Sequence, residues 1–294
     1  MKAPAFEFVS VHHLDEVFTL LDEYGDEARI VAGGQTLVAT LNMRLSEPAL
    51  LIDIRRLPGL AGISVNSGKL RVGALATHTE IEESPVIAQH APLLKLAAPH
   101  IAHRAIRNRG TFGGSIAYAD PAAEWPACTL ALEAEFIAVG RGGERRIAAK
   151  EFFLGLFTTA LKPGEILVAA EIPCCDLNES FAFDELARRH GDYAIVGLAG
   201  GAARVADRLT RVRLAYLGVG VTPVRARQTE LYLEGKPIDP THIAHALGIA
   251  QDELSVALES APDPLYPAAM KRHLAGVLLR RVLATLESPV RTSE

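Results

Sequence analysis

Two double-glycine segments stand out in a chain otherwise short of reactive groupings: Ala32-Gly33-Gly34-Gln35-Thr36 and Thr111-Phe112-Gly113-Gly114-Ser115. Glycine admits positive φ and lets another group come close to the main chain, so consecutive N–H groups can converge on an anion. A helix beginning just beyond adds the positive end of its dipole. Two such segments can hold a diphosphate from both sides, and each ends in a hydroxyl suited to the same ligand. Taken singly, each also reads as an ordinary tight turn. Neither contains Gly-x-Gly-x-x-Gly or ends in Gly-Lys-Ser/Thr, which argues against a simple Rossmann unit and against a P-loop NTPase.

Behind the second segment runs Tyr118-Ala119-Asp120-Pro121-Ala122-Ala123-Glu124. An aspartate before a proline at a helix start is by default an N-cap, while a carboxylate is also a good acceptor for sugar hydroxyls; the two roles are compatible. The remaining candidates are weaker. Cys128, Cys174 and Cys175 lack metal-ligand spacing, and the adjacent pair reads as a linker after Pro173. His100 and His103 have no carboxylate or cysteine to complete a metal site and read as partly exposed helix residues. Arg107 and Arg109 read as dipole partners or turn braces. Arg188-Arg189-His190 reads as a solvated run, open to cofactor or subunit contact because Gly191-Asp192-Tyr193 follows. The expectation is a chain with no catalytic acid, base or nucleophile and no metal ligand.

The elements that must position these residues follow from periodicity and composition. The 294 residues are 49% hydrophobic, 6% aromatic and carry a net charge of −5, a profile that excludes disulfide scaffolds and disordered chains. Without a basic block a nucleic-acid partner is disfavoured. No apolar run is long enough to span a bilayer and the first residues have no apolar h-region, so a cytoplasmic location is expected. A strand at 6–9, an amphipathic helix at 14–24, a strand at 28–32, a short helix at 36–44 and a strand at 50–54 form a small βαβ unit, which favours parallel pairing. Hairpins follow, 63–65 with 70–72 and 135–139 with 145–148, on either side of helical stretches over 81–108 and a helix at 124–132. A lapse in the hydrophobic pattern near 174–179 marks a boundary. Three strands, at 181–186, 198–205 and 209–217, and helices near 229, at 241–253 and at 266–286 complete the chain, the last helix reading as core.

The run Val31-Ala32-Gly33-Gly34-Gln35-Thr36-Leu37, then Leu50-Leu51-Ile52-Asp53-Ile54, then Ile106 to Ser115 and Ala119-Asp120-Pro121-Ala122-Ala123-Glu124, resembles the FAD-binding medium subunit of molybdenum hydroxylases, the carbon monoxide dehydrogenase and xanthine dehydrogenase family. Gly191-Asp192-Tyr193-Ala194-Ile195-Val196 is similar to the signature opening that family's C-terminal domain. The resemblance implies an α+β chain. Residues 1–176 would be an FAD-binding domain of the vanillyl-alcohol-oxidase type in two subdomains, about 1–57 and 58–176. Residues 177–294 would be a small α/β domain with a three-stranded antiparallel sheet and helices.

By the same resemblance FAD would be held by Ala32, Gly33, Gly34, Gln35 and Thr36 and by Thr111, Gly113, Gly114 and Ser115, with Tyr118, Asp120, Glu124, Asp192 and Tyr193 as further contacts. At Phe112 the family more often has isoleucine and at Tyr118 histidine; an aromatic ring there would cover part of the flavin instead of hydrogen-bonding it. Tyr193 would lie against the isoalloxazine and limit which acceptor reaches it. The implied role is electron transfer from [2Fe–2S] clusters of a small partner subunit, through FAD, to an external acceptor. Substrate oxidation would fall to a large molybdopterin-binding subunit, in a dimer of heterotrimers. The chain lacks the cysteines for the cluster that some relatives carry on an inserted loop. Two alternatives are a self-sufficient flavoprotein oxidase and a flavin-free scaffold subunit.

Overall fold

The computed structural model describes residues 2–287. Strands Glu7–Ser10, Ala28–Val31 and Leu50–Asp53 form a parallel sheet with Leu50–Asp53 in the middle. Ile52, paired with Val9 on one side and Ile30 on the other, is fully buried because helix Leu14–Tyr24 lays Val17 and Phe18 over the sheet. The carboxyl end of the central strand is fastened by Asp53. Its two oxygens accept N–H bonds from Arg55 at 2.8 Å each, and Ser10 Oγ donates to Oδ2 at 3.1 Å. The guanidinium holds the Asp53 carboxyl down at about 2.

Five antiparallel strands come next, in spatial order Ile63–Asn66, Lys69–Gly73, Ile166–Pro173, Glu135–Gly140 and Gly143–Ala148. Ser67 and Gly68 both take positive φ, 49° and 75°, which gives the first hairpin the primed turn that matches strand twist. The helical stretches over 81–108 are short: His78–Glu83, Pro85–His90, Pro92–Ala97 and Arg104–Arg107, with a 3-10 turn at Ala98–His100. Pro85, Pro92 and Pro99 each stand in a first turn, where a missing N–H costs nothing, so each proline starts a new helix.

The last sheet contains Glu179–Ala187, Ala194–Val205 and Arg208–Leu217, to which a two-residue fourth strand, Val224–Arg225, is added beyond the three expected. Helices Pro240–Glu253 and Ala268–Glu287 cover one face, with Leu278, Leu279, Val282 and Leu283 in the core. The other face is not solvent, as the alternation of Arg211 and Arg213 with apolar residues suggests for a half-buried strand. Ala215 and Leu217 on that face are fully buried, in one core with Trp125, Ala127 and Cys128 of helix Glu124–Ala131. That helix has all eight residues buried, which is why its sequence shows no polar face.

Asp53→Asn should cost about 2 kcal/mol, since it exchanges a charged, multiply bonded acceptor for an amide that cannot satisfy both Arg55 and Ser10. Urea unfolding at neutral pH checks it; a loss below a few tenths would show that the clamp is incidental.

Candidate functional site: two glycine segments and an interdomain cleft

The first glycine segment packs on the main chain that leads into the second. A Cβ on Gly33 would stand 2.2 Å from the Arg109 carbonyl oxygen and 2.8 Å from Gly110 Cα. One on Gly113 would stand 2.4 Å from Ala74 Cβ. Gly34 has φ +72°, with its nearest neighbour atom at 3.5 Å. A Cβ on Gly114 would meet Thr111 Oγ1 at 2.8 Å and Ala32 Cβ at 3.9 Å. Gly33 and Gly113 are therefore required by chain-to-chain packing and Gly34 by its backbone angle. Reading these residues as leaving room for a ligand missed that first demand.

The donors are unequally shared. Among the described residues, the main-chain N–H groups of Gly33, Gly34, Gln35 and Thr36 find no protein acceptor. Gln35 Nε2 folds back to donate to the Gly33 carbonyl at 2.9 Å, and the Thr36 side chain makes no cap bond to helix Leu37–Asn42. In the second segment four of the five amides are already used, that of Thr111 alone finding no acceptor among the described residues. Phe112 donates to Ala76 O and Gly113 to Ala74 O, both at 2.8 Å, while Gly114 and Ser115 donate to Oγ1 and O of Thr111, both at 3.1 Å. Thr111 thus caps helix Phe112–Tyr118, and Gly113 and Gly114 lie in its first turn without positive φ. The free N–H groups therefore come mainly from the first segment.

Asp120 is not the N-cap of the following helix, which starts at Glu124 with Ala123 before it and no side-chain cap. Instead Asp120 Oδ1 accepts from the Ala122 N–H at 2.9 Å, an Asx turn after Ala119 in the left-handed region, and burial raises its carboxyl. Asp120 faces Asp192 and Tyr193 across a cleft of about 440 Å³ between the domains, and Tyr193 is 64% exposed on its wall. Tyr118 does not stand free: its ring packs on Phe157 at 5.0 Å between centroids. Glu124 departs from the group, being buried behind the cleft and absent from its lining.

Three cleft residues had no signal in the sequence. Leu156 and Phe157 come from the turn joining strands Phe153–Gly155 and Thr158–Thr159, and Lys271 reaches in from helix Ala268–Glu287 to the Gly218 carbonyl and Asp263, at 2.9 and 2.8 Å. Arg188 is exposed and lines the cleft. His100 and His103 share no helix: His100 closes a 3-10 turn and pairs with Glu185, while His103 packs on Gly191. Arg107 is a turn brace, its buried guanidinium donating to Glu82 and to the carbonyls of Pro99, Ile101 and Ala102. Among the described residues no group of three His, Cys, Asp or Glu side chains is placed to hold a metal ion, and no helix is long and apolar enough to cross a membrane.

Residues 4–175 match the family model for the FAD binding domain in molybdopterin dehydrogenase, and residues 181–286 match that for the CO dehydrogenase flavoprotein C-terminal domain. The chain belongs to the FAD-binding medium subunits of the molybdenum hydroxylases. It is 40% identical to the 6-hydroxypseudooxynicotine dehydrogenase complex subunit alpha of Paenarthrobacter nicotinovorans, over 97% of this chain and 95% of that one. The structure of carbon monoxide dehydrogenase from Hydrogenophaga pseudoflava superimposes with a TM-score of 0.92 at 33% identity, covering 97% and 98% of the two chains. Quinoline 2-oxidoreductase from Pseudomonas putida 86 gives 0.91 at 37% identity, with 98% of each chain covered.

The flavoprotein subunit is an oxidoreductase component with FAD as its cofactor. The residues present suit that group: four unaccepted N–H donors match an anionic diphosphate, and a cleft between domains gives a planar ring a place to be reached from outside.

The second segment of the flavoprotein subunit leans on His78. The His78 N–H donates to the Gly110 carbonyl at 3.0 Å, a Cβ on Gly110 would meet the imidazole at 2.7 Å, and Trp125 Nε1 donates to His78 Nδ1 at 3.0 Å. Accepting at Nδ1 requires a neutral ring. Burial, with a smaller contribution from Arg107, pushes its pKa from 6.5 to about 4. The unfolded chain therefore takes up this proton near 6.5 and the folded chain near 4, so stability should fall by up to about 3 kcal/mol as pH drops through that window. Urea titrations between pH 7.5 and 4.5 should show a shallower slope in His78→Gln; equal slopes would exclude His78 as the source.

Proposed function

We propose that this chain is the exit point for electrons in a heteromeric molybdenum hydroxylase. A large molybdopterin-binding subunit would oxidise the substrate, a small subunit would relay electrons through [2Fe–2S] clusters, and the FAD held here would pass them to an external acceptor. The expected assembly is a dimer of heterotrimers, in the cytoplasm. The observation that carries the reading is the run of unaccepted N–H groups from Gly33 to Thr36, packed against the main chain that leads into the second segment. Relatives bearing the names medium chain and complex subunit, matched over nearly their full length, support it.

In this reading residues 1–176 are the flavin domain, in subdomains of about 1–57 and 58–176, and 177–294 the C-terminal domain. Ala32 to Thr36 hold the diphosphate through main-chain donors. Thr111, Gly113, Gly114 and Ser115 supply the opposing wall and one hydroxyl. Asp120 accepts from sugar or ring N–H and O–H groups, while Asp192 and Tyr193 border the ring and restrict approach to it. Bound FAD supplies two-electron and one-electron redox chemistry; the protein binds, orients and shields it.

Two measurements test this. The purified chain alone, loaded with FAD, should show negligible flavin reduction by the substrate that the assembled enzyme oxidises, and adding the two partner subunits should restore it. Reduction of the isolated chain at the rate of the complex would favour a self-sufficient oxidase. Gly34→Val forces a branched side chain into the left-handed region, at a cost of about 2 kcal/mol, and re-aims the donors. The variant should fold and lack FAD; full occupancy would overturn the placement of the diphosphate.

A further inference from the structure

We propose that Lys271 is a positioning residue for the cleft: from helix Ala268–Glu287 of the C-terminal domain it holds, through Gly218, the peptide group that aims the Asp120 carboxyl of the flavin domain. This role rests on the reading of Asp120 as a cofactor contact. The Lys271 ammonium donates to the Gly218 carbonyl at 2.9 Å and to Asp263 Oδ2 at 2.8 Å, and the lysine side chain is only 12% exposed. Gly218 follows strand Arg208–Leu217 and crosses to the flavin domain, its N–H donating to the Pro121 carbonyl at 2.9 Å. That carbonyl and the Ala122 N–H belong to one peptide group. The Ala122 N–H in turn donates to Asp120 Oδ1 at 2.9 Å. A planar peptide accepts at its oxygen and donates on the opposite side, so a bond at one end orients and strengthens the bond at the other.

Each joint of this line is held from a second direction. Gly218 has φ +77°, and a Cβ there would stand 2.5 Å from the Ile195 carbonyl oxygen, so strand Ala194–Val205 also sets its place. No other residue fits. Asp263 Oδ1 accepts the N–H groups of Leu265 and Tyr266 at 2.9 and 3.1 Å, which anchors the carboxylate that grips the ammonium. The Asp120 carbonyl accepts the Ala123 N–H at 3.1 Å and closes the turn. At the far end of the line, Asp120 lines the cleft and its Oδ2 has no hydrogen-bond partner among the described residues. That oxygen is left for a ligand donor, and the bond at Oδ1 fixes its direction. The effect of Lys271 on the ligand passes through Asp120.

Nuclear magnetic resonance of the ligand-free full chain reads the line without flavin. Lys271→Met keeps an unbranched side chain and removes its donors; it should move the Ala122 amide resonance upfield and speed its exchange with solvent about threefold or more. Asp263→Asn weakens the anchor of Lys271 and should move the same resonance the same way by less. Where Lys271→Met does not fold, Asp263→Asn decides by that amide. In the FAD-loaded chain Lys271→Met should weaken FAD binding about fivefold, and in an Asp120→Ala background it should cost nothing further. A lysine that only braces its own helix would lower the melting temperature and leave the Ala122 amide where it is. An Ala122 amide unmoved in both variants, or a loss of FAD affinity that simply multiplies with that of Asp120→Ala, would overturn the proposal. Failure of the unaltered chain to take up FAD would count against the proposed function, while the amide still decides the role of Lys271.

Discussion

Where Gly33 meets Arg109 and Gly110, two main chains come together at a separation that leaves no room for a Cβ, and the site is organised around that meeting. Gly33 lies just beyond strand Ala28–Val31 of the parallel sheet, and Gly110 leads into helix Phe112–Tyr118. The same device recurs as the chain moves inward. A Cβ on Gly73 would stand 2.4 Å from the Leu60 carbonyl, and Gly113 presses on Ala74. Close-packed backbone of this kind has few ways to relax, so it fixes the relative position of the subdomains more firmly than long side chains could. The four free N–H groups of Gly33 to Thr36 are precise because of what lies directly behind them.

From the second segment the support passes through His78 to Trp125, and from Trp125 into the helix that both domains share. This line of contacts is apolar or neutral at each buried step. His78 accepts only as an uncharged ring, and the burial that lowers its basicity also raises the acids Asp120 and Glu124. Burial thus acts on the base and on both acids in the direction of the uncharged form.

The parts of the fold that were legible in the sequence are those governed by local period. The βαβ unit, the primed hairpin at Ser67-Gly68 and the three long C-terminal strands each follow from alternation, helical spacing or turn chemistry that a few residues decide. The double glycines were visible as well, yet their first physical duty was not, since nothing near Gly33 in sequence reveals that Arg109 will stand against it. Asp120 illustrates the same limit: Asp-Pro is a sound cap signal, and tertiary packing moved the helix start to Glu124. Leu156 and Phe157 reach the cleft from one stretch and Lys271 from another, and they carried no signal at all.

The cleft brings donors, acids and rings together from both domains, Lys271 and Arg188 with Asp120, Asp192, Phe157 and Tyr193. Electron transfer asks the protein for distance, shielding and a route of access, not for proton shuttling at a carbon centre. Two of the side chains lining the cleft are large aromatic rings that are half or more exposed. Phe157 projects from a hairpin of the flavin domain, and Tyr193 enters from the C-terminal domain. Since the two rings belong to different domains, any change in the seam between them alters the mouth of the cleft. The seam is closed by helix Glu124–Ala131, which is buried along its whole length in a core that includes strands of the C-terminal sheet, so one element fixes how the two rings stand to each other.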